Sequence, residues 1–134
     1  LEIEDGRVNI YSLRNLDGRE KMIATPQNLR IELPREKIAN FCQRWGIARL
    51  EIFGSALRDD FGADSDVDFL FMPGPNFQHD KAYGPWGHDN MAAELSALIG
   101  REVDLIEHAD IERHRNWIRR KHILDTAQTI YVEG

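Results

Sequence analysis
The chain carries a Gly54-Ser55 pair followed, after ten residues, by Asp66-Val67-Asp68. Metal-assisted nucleotidyl transfer needs two parts, a turn that a phosphate can approach closely and paired carboxylates that hold a cation. Glycine, with no Cβ, permits the approach, and the start of a helix after it offers N–H groups and a favourable dipole. Ser55 could add a hydroxyl donor. The same pair also makes an ordinary strand-to-helix turn with serine as N-cap, so its meaning comes from the acids downstream. Side chains alternate along a strand, which sends Asp66 and Asp68 to one face and Val67, Phe69 and Phe71 to the other. The plain alternative is a pair of solvated acids at the start of a strand. Asp104 weighs against it. In Glu102-Val103-Asp104-Leu105-Ile106 it stands between alternating apolar residues, where a carboxylate calls for a partner charge or a metal. Hard oxygen ligands of this kind suit Mg²⁺ or Mn²⁺. Arg58, one helical turn beyond Ser55, could meet a triphosphate or stand exposed beside Asp59 and Asp60.

These residues must be positioned by a small set of elements. Ile38, Phe41, Cys42 and Trp45 recur at helical spacing between Pro34 and Gly46, a start and a stop signal, which predicts a helix packed on a sheet. Arg49 to Phe53 alternates like a strand, Gly54-Ser55 turns into a short helix through Asp60, and Asp66 to Met72 is the second strand. Residues 73–87, with three prolines, three glycines, Phe77, Tyr83 and Trp86, read as a long loop. It is either an acceptor or partner surface or an irregular crossover whose aromatics cover the core. Met91, Leu95, Leu98 and Ile99 give a helix over 88–99 stopped by Gly100, and Glu102 to Glu107 is the third strand. A final helix is expected around Trp117 to Val132, burying Leu124, Ala127, Ile130 and Tyr131. Earlier in the chain, Val8 to Leu13 and Lys21 to Ala24 flank Asn15-Leu16-Asp17-Gly18, the pattern of a hairpin.

At 134 residues the chain fits one ordinary domain and leaves no room for a separate substrate domain, so the acceptor group has to come from elsewhere. Hydrophobic residues at 42% and charged residues at 30% describe a globular chain with no membrane-length apolar run and no signal-peptide pattern at its start. A net charge of -6 argues against general nucleic-acid binding and is compatible with divalent metals or a basic protein partner. Cys42, the single cysteine, excludes an internal disulfide framework and fits a reducing cytosol; its apolar neighbours make it a core thiol. The five histidines show no His-x-x-x-His pair, so zinc is not expected. Arg113, Arg115, Arg119, Arg120 and Lys121 form a basic cluster, read either as a solvated helix face or as a partner surface.

From about Pro34 to its end the chain resembles the minimal nucleotidyltransferases of the polymerase-beta-like superfamily. Their Gly-Ser-x10-Asp-x-Asp signature is matched without a gap, and Arg44-Trp45-Gly46-Ile47 and Gly100 to Ile106 fall in the expected order. The resemblance implies an α/β (α+β) nucleotidyltransferase fold over residues 31–134, a small mixed sheet flanked by helices, preceded by an N-terminal extension, residues 1–30, on which it is silent. It implies Asp66, Asp68 and Asp104 as the catalytic, metal-binding acids and Gly54 and Ser55, with Arg58, at the triphosphate of ATP. In the two-metal scheme one ion held by all three acids activates the acceptor hydroxyl, and another held by Asp66 and Asp68 grips the triphosphate. Such proteins are commonly encoded beside a HEPN-domain ribonuclease toxin, and some neutralise it by transferring AMP to one of its tyrosines. The expectation is therefore a cytoplasmic protein adenylyltransferase antitoxin; the alternative is a module that silences its partner by binding alone.

Overall fold
Pro34 and Gly46 bracket the first helix, α1, at Arg35–Trp45, with Ile38, Phe41 and Cys42 on its buried side. In the computed structural model, which describes residues 2–4, 8–14, 20–26, 29–59 and 61–133, Gly46 closes α1 in the left-handed region at φ 76°. A Cβ there would lie 2.3 Å from the Asn76 carbonyl oxygen, so the stop signal is also a packing requirement.

The strands are β1 Glu2–Glu4, β2 Val8–Arg14, β3 Glu20–Pro26, β4 Ile47–Phe53, β5 Val67–Pro73, β6 Val103–Glu107 and β7 Gln128–Glu133. They form one sheet in the order β1-β2-β3-β7-β4-β5-β6. Its β7-β4-β5-β6 half is mixed: β4 is antiparallel to both β5 and β7, whereas β5 and β6 run parallel. The hairpin read from the sequence is present, with Val8 opposite Pro26 and Arg14 opposite Glu20, and β3 joins it to β7. Its Asn15 to Gly18 turn lies outside the described residues.

The remaining helices are α2 His79–Tyr83, α3 Gly87–Ile99, α4 His108–Glu112 and α5 Trp117–Thr126. One face of the sheet carries the main core, where Val67, Phe69, Phe71 and Leu105 meet Ile38 and Phe41 of α1 and Met91 and Leu95 of α3. A hydrogen bond from Trp45 Nε1 to Glu94 Oε2 at 2.8 Å ties α1 to α3. On the other face Phe53 and Leu70 form a second cluster with Ile111 of α4 and Ile123 of α5. Strand alternation makes this second face the one to which Asp68 belongs.

Three expectations need correction. The helix around Trp117 to Val132 ends at Thr126, and 128–133 becomes β7, a strand flanked on both sides by β3 and β4. Tyr131 is fully buried there, and its β-branched neighbours Thr129, Ile130 and Val132 suit a pleated surface better than a helix. The short helix expected through Asp60 is a single 3-10 turn, Gly54–Leu57. The loop at 73–87 contains α2, and its Phe77 is buried in the core while Trp86 stays 76% exposed. No helix of the described residues is long and apolar enough to cross a membrane.

Candidate active site
Strand β4 ends at Phe53, and the chain turns at Gly54 with φ 75° into the 3-10 turn. A Cβ on Gly54 would come within 2.3 Å of the Asp68 Oδ2. The glycine is thus required twice, for its left-handed backbone and for the carboxylate lying against it. Ser55 Oγ donates to the carbonyl of Asp66 at 3.2 Å, which ties the start of the turn to the end of the acidic loop. One 3-10 turn has a short dipole, so less of the attraction for an anion comes from the helix than the sequence suggests. The turn is held from outside by the Arg30 N–H, bonded to the Ala56 carbonyl at 2.8 Å, and by an Arg30–Asp59 ion pair.

The three predicted acids are brought together. Asp66 immediately precedes β5, and Asp68, its second residue, is in register with Phe53 on one side and with Asp104 of β6 on the other. Asp66 and Asp104 are exposed and Asp68 is half-buried. Burial, then the charges of Asp104 and Asp66, push the Asp68 carboxyl up from 3.8 to about 6, against the opposing pull of Arg58 and Arg119. A half-buried acid crowded by two others costs the fold stability and marks a site built for something cationic.

Two features escaped the sequence reading. Arg101 donates to the carbonyls of Gly62 at 2.6 Å and Ser65 at 2.7 Å, and its guanidinium stacks 4.5 Å over the Phe61 ring. It therefore clamps the loop that delivers Asp66, a role that no local spacing signals because the partners lie in a different part of the chain. Arg101→Ala is expected to lower nucleotidyl transfer about tenfold while shifting the melting temperature by less than about 3 °C, since a half-buried clamp on a surface loop positions more than it stabilises; progress curves and melting scans of the same samples check both. The other feature is α5. It supplies Arg119, close enough to act on Asp68, out of a basic cluster whose sequence pattern did not separate one arginine from the next. Arg58 is exposed and its charge acts on the same acid. A cavity of about 330 Å³ opens beside Gly54, lined also by Leu57, Arg58, His122, Asp125, Thr126 and Gln128. Another, of about 520 Å³, adjoins Asp104 between Phe71, His88, Asp110 and Arg113.

The sequence family described as "Nucleotidyltransferase domain" matches residues 35–130. This chain belongs to the nucleotidyltransferase domain family. Among curated proteins none matches. A solved structure assigned provisionally as a minimal nucleotidyltransferase shares 26% identity at a TM-score of 0.50, over 69% of this chain and 85% of that one. A second, of a toxin–antitoxin with AMP-PNP, has the same fold at a TM-score of 0.50 with 14% identity, over 72% of each chain.

Nucleotidyltransferase domains typically use a nucleoside triphosphate and a divalent cation. Among the described residues no three His, Cys, Asp or Glu side chains already converge on an ion-sized point. The donor set nevertheless fits one. Asp66, Asp68 and Asp104 are hard oxygen donors that repel each other strongly enough to raise Asp68, and the two outer acids are exposed, as a site that shares its ion with a phosphate requires. The close approach to Gly54 holds the inner carboxylate beside the turn.

Proposed function
We propose that this nucleotidyltransferase transfers AMP from ATP to a tyrosine hydroxyl of a partner HEPN-domain ribonuclease toxin and so acts as its antitoxin. The observation that carries the transfer chemistry is Asp68 pressed against Gly54, its carboxyl raised by burial and by Asp104 and Asp66. Asp66, Asp68 and Asp104 would hold Mg²⁺, two ions in the fullest arrangement, with Mn²⁺ an acceptable substitute. When bound, a divalent cation neutralises the phosphates and lowers the pKa of the acceptor hydroxyl. Gly54 and Ser55 leave the backbone open to the triphosphate, and Arg58 meets its charge from the side of the turn. The acceptor oxygen attacks the α-phosphorus, the bond to the β-phosphate oxygen breaks, and pyrophosphate departs. Residues 31–134 are the catalytic unit in this reading, with 1–30 as an extension of its sheet.

The partner is supported by two things. The structure of like fold that carries AMP-PNP is of a toxin–antitoxin, and Trp117 and Ile118 stand 61% and 64% exposed at the start of α5, on the helix that also bears Arg119. Large apolar side chains in that position suit a protein acceptor better than a small molecule. The test is the intact mass of the partner toxin after co-expression with this chain and with its Asp66→Ala/Asp68→Ala variant. Gains in whole adenylate units that require the intact acids are expected. A second reading, silencing by complex formation alone, draws on the lack of an already converged metal cluster among the described residues. An unmodified toxin silenced equally by both versions would decide for it.

A further inference from the structure
The basic cluster that runs from the end of α4 into α5 is not uniform. Arg113 pairs with Asp110 at 2.7 Å, Lys121 pairs with Asp125 at 2.6 Å, and Arg120 donates to the His114 carbonyl at 3.1 Å. No ion pair or side-chain hydrogen bond of the Arg119 guanidinium occurs among the described residues; only its backbone N–H is engaged, donating to the Asn116 side chain at 3.1 Å. The helix is seated by Ile123, in one cluster with Phe53, the neighbour of Gly54, and Leu70, which shares the strand face of Asp68. Arg119 lies one turn before Ile123, toward the acids, and its charge is felt at Asp68. Residues three and seven positions further along that side of α5, His122 and Thr126, line the cavity of about 330 Å³ together with Gly54, Leu57 and Arg58.

We propose that α5 is part of the nucleotide site, with Arg119 joining Arg58 on the phosphates and the part of the cavity lined by His122, Asp125, Thr126 and Gln128 receiving the nucleoside. The assignment rests on the nucleotidyl-transfer reading and names residues that the Gly-Ser-x10-Asp-x-Asp pattern does not contain. Charge sets the orientation. Arg58 and Arg119 act on Asp68, where a metal-bound triphosphate needs neutralisation, and Asp125, Thr126 and Gln128 of the cavity lining offer hydrogen-bonding groups for a ribose or base. The volume is at the small end of ligand pockets, enough for the nucleoside part with the phosphates outside.

Equilibrium binding of a non-hydrolysable ATP analogue with Mg²⁺, and of adenosine, tests the assignment on the full chain. Arg119→Ala is expected to weaken the analogue about tenfold and adenosine by less than twofold, and Arg119→Lys to recover part of the loss. Thr126→Phe, which fills the cavity, is expected to weaken both ligands, whereas Arg115→Ala, from the same cluster, changes neither; melting scans confirm that each variant folds. Analogue binding by the wild type that Arg119→Ala leaves intact overturns the phosphate role, and adenosine binding that Thr126→Phe leaves intact overturns the nucleoside cavity. A wild type that binds neither ligand sinks the nucleotidyl-transfer reading along with both.

Discussion
Asp68→Asn is expected to abolish nucleotidyl transfer, by roughly a thousandfold or more, and at the same time to raise the melting temperature of the metal-free protein at neutral pH. The two effects have one cause. Burial and the neighbouring Asp104 and Asp66 hold the Asp68 carboxyl at about 6 rather than 3.8, so ionising it costs the folded state more than the unfolded chain. The stability associated with that group is fully present below about pH 4 and is lost as pH rises through about 6. Asparagine keeps the shape and removes the charge, so the variant escapes the loss. Taken whole, the shift would amount to about 3 kcal/mol; because Asp68 is only half-buried, solvent screening reduces the expected gain to about 1 kcal/mol, or roughly 3–5 °C. Melting scans from pH 4 to pH 8 without divalent ions should show the two proteins close together at the acid end, diverging between about pH 4 and pH 6 and keeping a constant separation above it. Adding Mg²⁺ should raise the wild type more than the variant. A variant less stable than the wild type at pH 8 without metal would mean that the acids do not repel each other as their placement requires.

The other large effect is expected at Gly54. Gly54→Ala places a methyl group 2.3 Å from the Asp68 Oδ2 on a backbone at φ 75°, so two costs add. The left-handed conformation costs a non-glycine residue about 1 kcal/mol, and moving the carboxylate or the turn costs about as much again. A loss of about 2 kcal/mol in denaturant unfolding is expected, with at least a hundredfold loss of transfer because the displaced group is the central acid. The contact can be isolated by a double-mutant cycle. In an Asp68→Ala background the methyl group no longer meets a carboxylate, and Gly54→Ala should then cost only the backbone component, about 1 kcal/mol. Equal costs in both backgrounds would show that the glycine serves the turn and not the acid.

What could be read in the sequence was what the chain decides within a few residues of itself. Gly46 and Gly100 ended helices where their patterns placed them, because a left-handed stop depends on one residue's missing Cβ. Gly54, Ser55, Asp66 and Asp68 were recognisable together because one strand, one turn and the start of the next strand carry all four. Alternation alone put Val67, Phe69 and Phe71 into the core and left Asp68 on the other face. The same local rules failed at residues 128–133. A short apolar run fits a helix or a buried strand equally well, and the choice was made by the vacancy between β3 and β4 that Tyr131 and Ile130 fill. Tertiary structure also decided the chemistry's surroundings. Asp104 stands beside Asp68 only because β6 pairs parallel with β5 in that register, and the raised pKa of Asp68 comes from its burial in the fold together with Asp104 and Asp66, against the pull of two arginines from separate segments. Arg101 acquires its partners, and Arg119 its nearness to Asp68, through packing and not through spacing. Local conformational preference specifies which groups a short segment offers; pairing across the sheet and burial of α5 determine which of them share a charge environment, and that is a property of the fold.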